Sequence, residues 1–129
     1  MIAFDPNYKP SLNYYSIPRT GAENANYKLI SSHYTATTCK YTVSPTQQFY
    51  INGKPIQKIK LEAEIEQLKD FDGYDVNGFK ISFNDKEPSE TYSDINENLD
   101  PQNKVIFKKF VRPIVIDLVN QIKQDNKIG

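Results

Sequence analysis

The sequence predicts an α+β fold: an antiparallel sheet of about five strands, a C-terminal helix packed on it and an irregular N-terminal arm. Two observations support this prediction. Short segments of alternating apolar and polar residues, separated by turn signals, fill the middle of the chain, and one long apolar helical pattern follows them. The 129 residues fit one domain, which we place at residues 31–129, with the arm at residues 1–30.

The arm is rich in aromatic residues and interrupted by proline. Three prolines and one glycine break any regular element within residues 1–30, and aliphatic side chains are too few for the arm to fold alone. We therefore expect the arm to lie against its own domain or against a neighbouring subunit. Tyrosine and phenylalanine provide large contact areas at such interfaces. The candidate partner-binding residues of the arm are Phe4, Tyr8, Tyr14 and Tyr15.

The first strands are predicted from composition and turn chemistry. Residues 27–43 predict a strand, because residues 27–31 alternate and residues 33–43 are rich in Thr, Tyr and Val, which suit a half-buried sheet. Residues 48–51 form a second strand segment, and the Asn52-Gly53 pair that follows is typical of a type I′ hairpin turn. Pro55 restricts the returning strand to an edge or to its first residue, because proline cannot donate a ladder hydrogen bond.

Residues 56–68 carry two overlapping patterns. Apolar and charged residues alternate over nine positions, which predicts a strand, yet three of the apolar residues also have helical spacing. We predict the strand because the alternation is unbroken, and the helix stays open as the alternative. Residues 79–83 also alternate and predict a short strand, whereas the polar, acidic residues 84–103 predict a long loop.

The C-terminal segment predicts a helix that is buried on more than one side. Asp100 can cap its N-terminus and Pro101 suits the first helical position. We expect Pro113 to kink or split the helix near Arg112, and a strand over residues 104–111 is the alternative. The main apolar face consists of Phe107, Phe110, Val111, Ile114, Leu118 and Ile122, and Val105, Ile106, Val115, Ile116 and Val119 widen it.

Charge is distributed in blocks although the net charge is zero. Residues 1–55 carry five basic and two acidic side chains, residues 56–100 carry five and twelve, and residues 101–129 carry six and two. The block charges are therefore +3, −7 and +4. An acidic middle and basic ends are complementary within one molecule or between copies, so this pattern favours self-association.

No catalytic, cofactor or metal motif stands out in the sequence. His33 and Cys39 lie about 20 Å apart along an uninterrupted strand, because each residue advances about 3.3 Å, so we expect neither to be essential. Asp70, Asp72 and Asp75 surround a glycine, but their spacing fails the EF-hand pattern and predicts a solvated turn. We expect a protein without enzymatic activity, metal or cofactor.

A basic stripe near the C-terminus is the other candidate site. On a helix, Lys104, Lys108 and Arg112 share one face at i, i+4 and i+8. This stripe could bind phosphates, but the abundant acidic residues disfavour a nucleic-acid partner. We expect the stripe to pair with the acidic block instead, and we assign these three residues to partner binding.

Three functional classes remain open at this level. The first is a non-enzymatic protein–protein interaction or assembly subunit, for example of a phage or virus particle, that forms a homo-oligomer or a larger assembly. The second is a small intracellular inhibitor, immunity or anti-defence protein, and the third is a small ligand-binding protein or enzyme that uses the acidic loops. The single cysteine, the absence of a signal peptide and the absence of a long apolar run predict a cytoplasmic location, or one within a particle assembled there, without membrane contact.

Overall fold

A computed structural model describes residues 26–126, which contain seven strands and four α-helices. The strands are β1 (Tyr27–Tyr34), β2 (Thr38–Pro45), β3 (Tyr50–Ile51), β4 (Lys54–Pro55), β5 (Ile59–Glu64), β6 (Lys80–Phe83) and β7 (Glu90–Thr91). The helices are α1 (Ile65–Asp70), α2 (Tyr92–Asn98), α3 (Pro101–Ile106) and α4 (Arg112–Asn126), with a π-helical segment (Phe107–Val111) between the last two. An antiparallel sheet has the order β1-β2-β5-β6-β7, which confirms the predicted α+β class.

The beginning of the sheet overlaps the end of the predicted arm. β1 begins at Tyr27, so residues 27–30 belong to the sheet. This agrees with the strand predicted from residue 27 and not with an arm that extends to residue 30. The rest of the arm lies outside the described residues. The predicted division into an arm and a domain therefore stays a prediction.

The single strand predicted for residues 27–43 is wrong, because β1 and β2 form a hairpin. Tyr34 pairs with Cys39, and the chain reverses between them. The Thr35 hydroxyl accepts hydrogen bonds from the backbone N–H of Thr37 at 3.3 Å and of Thr38 at 2.9 Å. Threonine supports turns more weakly than Gly, Asn or Asp, and this turn therefore has no strong sequence signal.

Both patterns predicted for residues 56–68 occur in the structure, first a strand and then a helix. Ile59, Leu61 and Ala63 are buried on one face of β5, and the chain then becomes helical at Ile65. The Gln67 side chain accepts a hydrogen bond from the Glu64 N–H at 3.0 Å, which satisfies a backbone group at the start of α1. The strand prediction holds for β5, and the helical alternative holds for α1.

The Asn52-Gly53 turn prediction is confirmed. Both residues have positive φ, 54° and 78°, as a type I′ turn requires. The flanking strands β3 and β4 form a separate two-stranded sheet that ends at Pro55.

The long loop predicted for residues 84–103 is wrong, because this segment contains β7 and α2. Thr91 caps the helix, since its hydroxyl accepts a hydrogen bond from the Asp94 N–H at 3.1 Å. Tyr92, Ile95 and Leu99 then follow at helical spacing, and Tyr92 and Leu99 are buried. Only three apolar residues mark this short helix, which the surrounding polar residues obscure.

The C-terminal helix begins as predicted. Asp100 accepts a hydrogen bond from the Asn103 N–H at 2.8 Å, and Pro101 takes the first position. The alternative strand over residues 104–111 is wrong, because this segment is helical throughout. The chain is helical from Pro101 to Asn126, so Pro113 does not split it, and a π-helical turn comes directly before this region. The kink expected near Arg112 stays a prediction.

The helix and the sheet share one hydrophobic core. Of the predicted apolar faces, most residues are buried, and Ile106, Phe110 and Ile116 are partly buried. Val105 is the exception, because 66% of its surface is exposed. The buried residues of this segment are Phe107, Val111, Ile114, Val115, Leu118, Val119 and Ile122.

The opposite face of the sheet is polar and carries ion pairs. Lys60 contacts Glu87 at 3.2 Å, and Lys40 contacts Glu62 at 3.8 Å and Glu87 at 3.6 Å. The sheet thus has one face buried by the helices and one face exposed. Within residues 26–126, no helix is both long enough and apolar enough to cross a membrane.

Candidate functional site

The candidate site is a cleft of about 430 Å³ formed by α2, α3, the π-helical segment, the first residue of α4 and the loop before β6. It brings together all three residues of the predicted basic stripe. None of the lining residues carries a carboxylate, so the cleft has a positive local charge. The lining residues are Asn77, Tyr92, Asn96, Lys104, Val105, Lys108 and Arg112.

Arg112 is held in a fixed position at one end of the cleft. Its Nη2 donates a hydrogen bond to the carbonyl oxygen of Tyr74 at 2.6 Å, and its guanidinium carbon lies 5.9 Å from the ring centre of Tyr92. The Tyr92 ring packs in turn on Phe107, with 4.4 Å between ring centres. Burial raises the pKa of Tyr92 although the neighbouring Arg112 opposes the shift, so the Tyr92 hydroxyl stays protonated at neutral pH.

The loop that presents Tyr74 to Arg112 is ordered by an aspartate. The Asp72 carboxylate accepts hydrogen bonds from the backbone N–H groups of Tyr74 at 3.1 Å and Asp75 at 3.2 Å. These bonds favour the ionised form and hold the pKa of Asp72 below its ordinary value. Asp72 thus supports a turn, as predicted for this acidic cluster, and the turn places the Tyr74 carbonyl over the cleft.

The two lysines of the stripe differ from Arg112. Lys104 and Lys108 are exposed, and neither contacts a carboxylate among the described residues. The ion pairs that the structure shows there involve Lys40, Lys58, Lys60 and Lys69. The predicted pairing of the stripe with the acidic block is therefore not found within residues 26–126.

Two large exposed residues lie near the basic stripe: Val105 lines the cleft, and the backbone carbonyl of Tyr74 bonds Arg112. Tyr74 is 72% exposed and Val105 is 66% exposed; with Tyr50, they are the exposed large hydrophobic residues of the described segment. Sequence reasoning missed both, since Tyr74 lies between two turn signals and Val105 was expected in the core. We call the surface formed by Tyr74, Lys104, Val105, Lys108 and Arg112 the docking face.

His33 and Cys39 are closer than the sequence analysis expected but do not form a pair. The hairpin places them on adjacent strands, yet Cys39 is fully buried and His33 lies on the exposed face. The Cys39 thiol donates a hydrogen bond to the Ala63 carbonyl at 3.5 Å. Burial raises the pKa of this thiol to about 12, so it stays protonated at neutral pH.

A second cleft, of about 550 Å³, lies between the β3–β4 hairpin and the loop from β6 to β7. Two of its polar side chains, Asn84 and Ser82, already bond the protein backbone. Asn84 accepts from the Gln57 N–H at 2.8 Å and donates to the Pro55 carbonyl at 3.2 Å, and the Ser82 hydroxyl donates to the Lys86 carbonyl. These groups hold loops together, which makes the docking face the stronger candidate.

The aromatic residues predicted to bind a partner, Phe4, Tyr8, Tyr14 and Tyr15, lie outside the described residues. Their role stays a prediction.

Comparisons with protein-family models, with curated proteins and with solved structures find no match to this chain. A fold class alone does not define a function, because one fold supports many. The functional argument therefore depends on the residues of the docking face and their geometry.

Proposed function

We propose that this protein is a non-enzymatic protein–protein interaction and assembly subunit, which associates with copies of itself through the docking face. The observation that carries the proposal is that Lys104 and Lys108 lack an acidic partner among residues 26–126 and line a cleft together with the exposed Val105. Isolated exposed apolar residues are ordinary, but here Val105 lines a basic cleft, and Tyr74 belongs to the loop whose backbone bonds Arg112 of that cleft.

The chemistry of the docking face fits an interface. Tyrosine and arginine are the residue types that most often dominate binding energy, since they combine a large contact area with hydrogen bonding. Arg112 is already fixed by Tyr74 and Tyr92, so it would lose little conformational entropy when a partner binds. The lysines would gain charge pairs that the described part of the chain does not provide.

The non-enzymatic part of the proposal is supported by the hairpin. It places His33 and Cys39 on opposite faces of the sheet, so the imidazole cannot activate the thiol. The raised pKa of Cys39 also removes the thiolate that a nucleophile requires at neutral pH.

Sedimentation velocity over a concentration series tests the proposal. The wild-type protein should form species heavier than the 14.9 kDa chain. A Tyr74→Ser, Val105→Ser double variant should weaken this association by about tenfold or more, because two exposed contact residues are removed. Tyr50→Ser is the matched control, since Tyr50 is also exposed, at 51%, but lies outside the docking face.

Two outcomes would contradict the proposal. A wild-type protein that stays monomeric would exclude self-assembly and favour the alternative of a small binding protein or inhibitor. Equal losses in the double variant and in Tyr50→Ser would show that the association does not use the docking face.

A further inference from the structure

The cleft at the docking face gathers positive charge and hydrogen-bond donors on its walls. Lys104, Lys108 and Arg112 line it, and the amide side chains of Asn77 and Asn96 add further N–H donors. Its lining among the described residues includes no carboxylate. A cleft lined by three cations and two amides attracts an anionic group and offers it several donors at once.

The acidic residues closest to the cleft in sequence do not neutralise it. Asp94 and Glu97 lie on α2, but helical spacing turns them away from the side of α2 that lines the cleft. The Asp100 carboxylate accepts hydrogen bonds from the backbone N–H of Asn103 at 2.8 Å and from its side-chain amide at 2.9 Å. The three cations of the cleft therefore form no ion pair within residues 26–126, and like charges at i and i+4 repel one another.

The spacing of the cations favours an extended anion. Lys104 and Arg112 are eight residues apart, which is about 12 Å along a helix that rises about 1.5 Å per residue. A single carboxylate or phosphate group contacts only part of such a row, whereas two or three linked phosphates can follow it. At one end of the row, the hydrogen bond to the Tyr74 carbonyl already holds Arg112, which lowers the entropy lost on binding.

We propose that this cleft binds a small molecule that carries a chain of two or three phosphate groups, with Lys104, Lys108 and Arg112 as its main contacts. The proposal goes beyond the proposed function and does not depend on it, because the cleft lies within one chain. The ligand is small, since exposed carboxylates such as Asp94 and Glu97 outside the cleft would repel a nucleic acid that extends past it.

Isothermal titration calorimetry with tripolyphosphate, pyrophosphate and orthophosphate tests the site. The protein is diluted until sedimentation shows a monomer, because self-association through the docking face would use the same lysines. One tripolyphosphate should bind per chain. Its affinity should exceed that of orthophosphate by about tenfold or more, since the longer anion contacts more of the cations.

A pair of matched variants locates the binding. Lys104→Gln, Lys108→Gln should bind tripolyphosphate about tenfold more weakly or worse, because two charged contacts are removed. Lys28→Gln, Lys80→Gln removes the same charge from exposed positions of β1 and β6 and should bind like the wild type. Circular dichroism confirms that each variant is folded.

Three outcomes would overturn this inference. They are a wild type that does not bind tripolyphosphate, a control that loses as much affinity as the Lys104→Gln, Lys108→Gln variant, and equal affinities for orthophosphate and tripolyphosphate. None of them affects the proposed function, which depends on the sedimentation of the wild type and of the Tyr74→Ser, Val105→Ser variant. A monomer that binds tripolyphosphate as described would support this inference and contradict the proposed function.

Discussion

Single residues differ sharply in how firmly the fold holds them. Arg112 bonds the Tyr74 carbonyl and lies over the Tyr92 ring, whereas Lys104 and Lys108 on the same cleft have no such contacts among the described residues. The planar guanidinium can stack on an aromatic ring while its edge donates hydrogen bonds, whereas an ammonium has no planar face to stack. The docking face thus combines one cation that is bonded to the protein with two that form no ion pair among the described residues.

Cys39 shows how burial controls chemistry at the residue scale. Its pKa is raised from 9.0 to about 12, chiefly because the buried thiolate would lose its hydration. Because the folded-state value is raised, the stabilisation from this protonated thiol is complete below about pH 9 and is lost as the pH rises toward 12.

We therefore predict that Cys39 resists thiol reagents in the native protein. At pH 7 the folded protein therefore carries far less thiolate at this position than the few per cent of an ordinary cysteine. Labelling followed by mass spectrometry should be slow in buffer and rapid in denaturant. A Cys39→Ala, Ser31→Cys variant gives an exposed thiol as the control, and equal labelling rates in the two native proteins would contradict the prediction.

The elements show how local rules and packing combine. Asp100 and Thr91 cap their helices through ordinary side-chain bonds to the backbone, which stabilise helix starts by about 1 kcal/mol each. The π-helical segment before Pro113 is a different case. There the apolar face continues into the core, so the chain keeps its helical form and changes the hydrogen-bond pattern around the proline.

At this scale we predict that Leu118→Asp or Ile114→Asp prevents folding. Both residues are buried in the core, and an unpaired charge there costs several kcal/mol, comparable with a whole stability of about 5–15 kcal/mol. Thermal unfolding followed by circular dichroism measures the effect. Asn120→Asp, an exposed position on the same helix, is the control and should leave the melting temperature within a few degrees. If both core variants melted at the wild-type temperature, this face of the helix would not be buried.

At the scale of the whole molecule, some acidic residues form ion pairs and others do not. Three acidic residues, Glu62, Asp85 and Glu87, form ion pairs with lysines on or beside the exposed face of the sheet. Asp94 and Glu97, like Lys104 and Lys108, remain without an ion pair in the part of the chain described. The described residues thus leave exposed charges of both signs without an intramolecular ion pair.

We predict that salt weakens the proposed association. Exposed charge pairs are screened once the ionic strength exceeds about 0.1 M, because the Debye length falls to roughly 10 Å. Sedimentation between about 0.05 and 0.5 M sodium chloride should show a progressive shift toward the monomer. An association that strengthens with salt would indicate a contact dominated by Tyr74 and Val105, since salt favours apolar burial.

Much of the fold could be predicted because its signals are local. The Asn52-Gly53 turn, the Asp100-Pro101 helix start and the alternation in β5 each depend on residues that are neighbours in sequence. The β1–β2 turn and α2 could not be found this way, because threonines and three spaced apolar residues are weak signals without the tertiary contacts that stabilise them. Val105 was wrongly expected in the core for a related reason. Helical spacing identifies the apolar face of a helix but not which part of that face packs against the core.

The sequence by itself determined the fold class, the C-terminal helix and the grouping of Lys104, Lys108 and Arg112, since helical spacing alone aligns these three residues. Only the tertiary structure decided what surrounds them. Tyr74 is 38 residues from Arg112, and its carbonyl reaches the guanidinium only after the loop and the helix pack together. The separation of His33 from Cys39 by the sheet likewise depends on a hairpin. Contacts between residues distant in sequence depend on the packing of the entire core, which no local pattern contains.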